Sequence, residues 1–260
     1  VIHGNTPGMK ASGYVFAVSL LPATALTGAG LDKTVIPWSF KALKRPAVPQ
    51  VAQVDWSRGD TDRFILSRLE ASKLPPSADA PRWRLIRRAT LDLHGLLPTP
   101  QEVIAFEKDP RPTDTAFADV VDRLLKSPRF GERWARHWLD VARYADSTGR
   151  SWNAPLVYAF KYRNWVIDAL NDDMPCTRFM AAQVAGDLLP AKDDAERARN
   201  LLGTGFLGLG SMNLIEGSAE QFVMDLVDDQ IDVTTRAFLG LTVACARCHD
   251  HKYDPITQHD

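Results

Sequence analysis

Cysteine is scarce in this chain. Only Cys176, Cys245 and Cys248 occur in 260 residues. Two of them stand three apart with a histidine directly after, in the run Ala244-Cys245-Ala246-Arg247-Cys248-His249-Asp250-His251-Lys252-Tyr253-Asp254-Pro255. Cys-x-x-Cys-His is the attachment pattern of c-type haem. On a helical turn, positions i, i+3 and i+4 face the same way. Two thiols can then reach the two vinyl groups of one porphyrin, and the next imidazole can reach its iron. On that reading Cys245 and Cys248 attach haem c and His249 is the proximal iron ligand. The same residues admit other chemistry. Cys245, Cys248, His249, His251 and Asp254 could instead hold zinc or another divalent metal, and the two cysteines could form a redox dithiol or a local disulfide.

A haem would need a second axial position, filled or open. His137 and Met212 are the distal candidates carried forward, and Met224 is a further methionine. His251 lies too close in sequence to His249 to reach the opposite face easily. His137 sits among Trp134, Trp138 and Tyr144, where a hydrogen-bonded core histidine is the ordinary expectation. Met212 lies between Gly208, Gly210 and Gly217. The Asp254-Pro255 turn is expected to offer a carbonyl to the other nitrogen of His249. Cys176, at a helix start, reads as a lone structural thiol.

Other polar groupings have structural readings. Arg82, Arg84, Arg87 and Arg88 form a solvated or ion-paired basic face. Arg143, Tyr144, Asp146, Lys161, Tyr162, Arg163 and Asp187 could line a sugar or metal pocket, but such mixtures more often build ion-pair networks between helices. Asp225, Asp228, Asp229 and Asp232 recur at helix spacing with Arg236 four residues beyond, which favours ion pairing over cation binding. No catalytic triad order, phosphate loop or nucleotide fingerprint is present.

The elements that must position these groups read as helices. Apolar residues recur with helix spacing over 61–72, 81–93, 99–108, 113–126, 129–146, 155–171, 175–188 and 194–207. Phe117, Val120, Val121, Leu124 and Leu125 give the cleanest stripe. Thr99-Pro100 is a cap followed by proline at the first helical position. The last and longest helix is expected from Ala219 to about Cys248, with two apolar sides and therefore buried on both. No strand alternation or internal repeat is visible. The expected fold is all-α: a single multi-helix domain over 58–260, preceded by an extended, proline-containing lead-in at 32–57.

Residues 1–31 are read separately. Met9-Lys10, the apolar stretch 11–26 and Ala23-Thr24-Ala25 fit a secretory signal with its cleavage site. The stretch is too short, and interrupted by Pro22, to be a confident membrane span. The start at Val1 and the stop at Asp260 in a polar run suggest a fragment. Lys+Arg number 31 and Asp+Glu 32, for a net charge of −1. That balance excludes nucleic-acid binding by bulk charge. It also leaves any docking patch for a redox partner to local charges.

Several segments carry a family likeness: DRFILSRLEASKLPPSADAPRWRLIRRATLDLHGLLPTP, FGERWARHWLDVARYADSTG, YRNWVIDALNDDMP, QVAGDLLP and DVTTRAFLGLTVACARCHDHKYDPI. Together they resemble the planctomycete-type cytochrome domain, a domain of unknown function in large exported proteins, over about residues 36–260. The resemblance implies export to the periplasm or cell surface and the Cys-x-x-Cys-His pattern at Cys245, Cys248 and His249. It further implies a redox partner protein or adjacent cytochrome domain, and an accessory role beside polysaccharide-degrading systems. The expectation is electron transfer without independent catalysis. A metal-dependent exported enzyme domain and a glycan-binding module are the alternatives.

Overall fold

The computed structural model describes residues 38–150 and 152–260. The signal segment at 1–31 and the first part of the lead-in lie outside the described residues. The chain falls into two units. The described parts of the smaller one are residues 38–41, with a 3-10 turn at Trp38–Phe40, and residues 252–255. The larger comprises residues 42–251 and 256–260.

The larger unit is all-α. Its helices are α1 (Asp60–Ala71), α2 (Arg82–His94), α3 (Pro100–Glu107), α4 (Thr113–Leu125), α5 (Pro128–Val141) and α6 (Ala159–Asn171). They continue with α7 (Cys176–Ala185), α8 (Asp194–Gly203), the single turn α9 (Gly205–Gly208) and α10 (Ala219–Thr234). Among the described residues there is no strand, only an isolated bridge between Ser147 and Pro155. No described helix is long and apolar enough to cross a membrane.

Local chemistry explains most of the boundaries. Thr99 accepts from the Glu102 backbone N–H while the Glu102 carboxylate accepts from the Thr99 N–H at 2.8 Å, so both free donors at the start of α3 are satisfied. Gly95 ends α2 in the left-handed region at φ 70°. Arg82 at the start of α2 donates to the carbonyls of Phe106, Asp109 and Arg111. It thereby closes the end of α3, where carbonyls lack helical partners, and is no solvated charge. The lead-in is likewise held, because the Glu70 carboxylate accepts from the backbone N–H groups of Ala52 and Gln53.

Several helices are shorter than their sequence patterns suggest. The expected helix over 129–146 ends at Val141, because Arg143 turns left-handed at φ 58° and the Tyr144 N–H bonds back to the Leu139 carbonyl. The helix expected from residue 155 begins at Ala159, because Pro155 and Leu156 pair with Ser147 and Asp146 instead. The aromatic residues of α5 do not define its buried face. Gly131, Ala135 and Leu139 are buried, while Trp134 is exposed. Gly131 allows a close approach to α6, where a Cβ would lie 2.5 Å from the Ile167 carbonyl oxygen. Asn171 fixes that crossing by accepting from the Gly131 N–H at 2.8 Å.

Burial is concentrated in two clusters. Ile86, Phe106 and Ala116 join α2, α3 and α4. The larger cluster gathers Leu139, Trp165, Val166, Phe206 and Val233 from α5, α6, α9 and α10. Each large apolar side chain fully buried in this way contributes about 1.5–3 kcal/mol. The larger cluster encloses one polar knot. Trp138 Nε1 donates to Gln183 Oε1 at 2.7 Å, and the Tyr162 hydroxyl donates to the same oxygen at 2.6 Å. Every member finds a partner, which is the condition for burying such groups. Burial also pushes the Tyr162 phenol well above its usual pKa.

Candidate cofactor-attachment site

The Cys-x-x-Cys-His run does not continue the last helix. α10 ends at Thr234, a π-turn occupies Thr235–Leu239, and Gly240 reverses the chain at φ 67°. A separate 3-10 turn, Val243–Arg247, then carries the motif, with Cys248 capping it. The apolar residues Ala237 and Leu241 continue the helical stripe in sequence, but Gly240 takes a conformation that a helix interior excludes and glycine adopts freely.

The 3-10 geometry suits the spacing. With about three residues per turn, positions i and i+3 eclipse one another, so Cys245 and Cys248 share one side. Both are free thiols and exposed. Between them Ala246 is buried, and Arg247 turns to α10, meeting Asp228 Oδ2 at 2.5 Å and Asp225 Oδ1 at 3.8 Å. The two intervening residues therefore hold the turn, and the two cysteines and His249 are left outward.

His249 Nδ1 donates to the Asp250 carbonyl at 2.8 Å. A carbonyl only accepts, so Nδ1 carries a proton in this contact; in a neutral ring that leaves the lone pair on Nε2, the tautomer an imidazole needs for binding iron through Nε2. The carbonyl that His249 Nδ1 meets is that of the next residue, Asp250. His251 turns inward. It is 5% exposed, its ring Nε2 shares a 3.3 Å hydrogen bond with Thr242 Oγ1, and its backbone N–H donates to the Ile256 carbonyl at 2.9 Å. Gln258 adds two more ties, to the Asp250 carboxylate and the Arg247 carbonyl. Asp254 is half-buried and falls in the smaller unit. Among the described residues, no group of three or more His, Cys, Asp or Glu side chains comes together as a metal cage.

The distal candidates have separate settings. His137 is exposed on α5, edge-on to Trp134 at 5.3 Å between ring centres; it is not a core histidine. Met212 is half-buried, and its N–H donates to the Thr148 carbonyl at 3.0 Å. Cys176 is exposed, with its thiol 3.7 Å from the Met180 sulfur.

The acidic row on α10 is an ion-pair row. Asp232 meets Arg236 at 2.9 Å, Asp225 and Asp228 meet Arg247, and Asp229 meets Arg143 at 2.5 Å. The mixed polar and aromatic set divides. Tyr144 donates to Asp146 at 2.6 Å, and partial burial with that carboxylate pushes its phenol up to about 12. Lys161 and Tyr162 border a cleft of about 500 Å³ with Leu156, Tyr158, Leu201 and Leu209. The Lys161 ammonium lies 5.1 Å from the centre of the exposed Tyr158 ring.

Arg247, Thr242 and Gln258 are the site residues that motif reading missed. Arg247 could have been found, since it is a lone cation in the motif facing a helix with four carboxylates at regular spacing. Thr242 and Gln258 carry no signal of their own.

Fold and site together define an all-α protein with an outward Cys-x-x-Cys-His turn braced on its last long helix. The chain belongs to the PSCyt2 family, described as a protein of unknown function (DUF1549), whose family model matches residues 60–260. No curated protein and no solved structure matches it.

Proposed function

We propose that this is an exported c-type cytochrome-like domain that carries one covalent haem and transfers electrons. One observation carries the reading: two free, exposed thiols one 3-10 turn apart, followed by an imidazole whose Nδ1 is already committed to a carbonyl. These residues fit haem c. Cys245 and Cys248 each supply a thiol that adds across a vinyl group. The sulfur–carbon bond forms at the inner vinyl carbon, the thiol hydrogen ends on the outer one, and no electrons enter or leave. His249 offers Nε2 to the iron, and the Asp250 carbonyl holds the ring's orientation. When bound, haem supplies a one-electron couple tuned by its axial ligands and burial. The family name, and the likeness to exported planctomycete-type cytochrome domains, support the same reading. A neighbouring redox protein or cytochrome domain is the partner this function requires. An accessory role in polysaccharide breakdown at the periplasm or cell surface is the setting.

The test is expression of the chain with a periplasmic haem-c maturation system, followed by pyridine haemochrome spectra and intact mass. Covalent haem at one per chain is expected. Cys248→Ala should leave a single thioether, with the α-band moved to the red. No covalent haem on the wild-type chain, together with stoichiometric zinc, overturns the reading in favour of a metal-dependent exported domain.

A further inference from the structure

The second apolar side of α10 is not buried. Val223 is 52% exposed, Met224 48%, Val227 38% and Ile231 48%. Val223, Val227 and Ile231 are four residues apart and form one stripe, with Met224 beside it. The opposite face enters the core through Val233, and Asp229 anchors it to Arg143. A solvent-facing stripe of large apolar residues costs stability or solubility unless something covers it.

The position of the motif says what covers it. Arg247 reaches Asp228 at 2.5 Å and Asp225 at 3.8 Å. On a helix surface Asp228 is flanked on one side by Met224 and Ile231, four before and three after it, and on the other by Asp225 and Asp232. The ion pair that seats the cysteine turn therefore seats it along the edge of the exposed stripe. Buried Ala246 keeps the turn's other side against the protein, so the two thiols are presented outward beside an apolar strip.

We infer that Met224, Val227 and Ile231 form the platform that receives the flat apolar face of the haem attached at Cys245 and Cys248, and that Arg247 is the positioning residue that sets the turn beside it. The inference rests on the haem reading and assigns the face of this chain that the cofactor covers. A porphyrin is large, planar and mostly apolar, so it gains most by lying on a continuous apolar strip and excluding water from it. Asp228 and Asp232, the aspartates beside the strip, are paired with Arg247 and Arg236, which weakens their opposition to that contact.

The experiment is carbene footprinting of the whole chain, read residue by residue by mass spectrometry, with and without covalent haem. Labelling of Met224, Val227 and Ile231 should fall several-fold in the haem-loaded protein. Labelling of Leu43 and Val157, exposed at 103% and 65% and remote in sequence from the motif, should not change. Arg247→Ala should retain covalent haem but recover labelling on the strip and shift the Soret band, and Arg247→Lys should restore both. Haem attached with the strip still labelled overturns this inference alone, and no haem on the wild-type chain overturns the haem reading with it. Protection already present without haem, and lost on dilution, would assign the strip to a second copy of the chain and also overturn the inference.

Discussion

Gly210 shows how much one hydrogen atom in place of a side chain can decide. A Cβ there would lie 2.0 Å from Asp229 Oδ2 and 2.7 Å from Arg143 Nη2, inside the ion pair that joins the end of α5 to α10. Arg143 holds a left-handed conformation to make that pair, at a position where glycine is the usual residue. The side chain's reach thus outweighs the backbone's preference. Gly210→Ala must displace the pair, and the expected cost is about 1–3 kcal/mol, as for other over-packed sites. The urea midpoint measures it, and an unchanged midpoint would mean that Asp229 yields without loss. Residue-scale spacing marks Cys245, Cys248 and His249 as a candidate group, and the fold leaves all three exposed. The pairing of Arg247 with Asp228, or of Thr242 with His251, was not legible, because those partners are chosen by how distant segments fold together.

Among the helices, the sequence stripe located each element but not the face that would be covered. Phe117, Val120 and Leu124 on α4 turned inward as their pattern suggested, whereas Trp134 on α5 and Val227 on α10 did not. A stripe records a preference for burial and carries no statement about the neighbour. Helix ends followed caps where a cap was present, at Thr99 and Gly95, and were overrun where the chain turns left-handed at Arg143 and beyond the π-turn after α10. Gly240 completes that second reversal. Its φ is 67°, and nothing lies within 4 Å of where a Cβ would stand, so substitution there tests backbone conformation alone. Gly240→Ala should cost about 1–2 kcal/mol, the penalty of a left-handed residue with a Cβ, without disturbing core packing. Chemical denaturation checks the magnitude. A stabilised variant would mean that α10 runs on through residue 240 and that the motif is helical.

At the level of the whole molecule, the −1 net charge hides many paired charges, and a few carboxylates tie stability to acidity. Asp109 is the plainest. Hydrogen bonds from the Arg111 side chain and backbone lower its pKa from 3.8 to about 2. Asp79 and Glu102 are lowered as well, by Arg58 and by the Thr99 N–H first. A carboxylate with a depressed folded pKa contributes its stability above the unfolded pKa and loses it as pH falls through the folded one. For Asp109 the contribution is complete above about pH 4 and disappears towards pH 2. Asp109→Asn should flatten that part of a stability-versus-pH curve measured by thermal melting. An unchanged acid limb would place the sensitive groups elsewhere.

The residues from Thr242 to Asp260 add no member to either apolar cluster; Ala246 and His251 are the buried residues there. Closing the core therefore makes no demand on what the turn carries. Small metal-nucleated modules work the other way, remaining unfolded until their ligand arrives. The helices can complete their packing without any group bound at the turn, and its two thiols stay exposed on the folded protein.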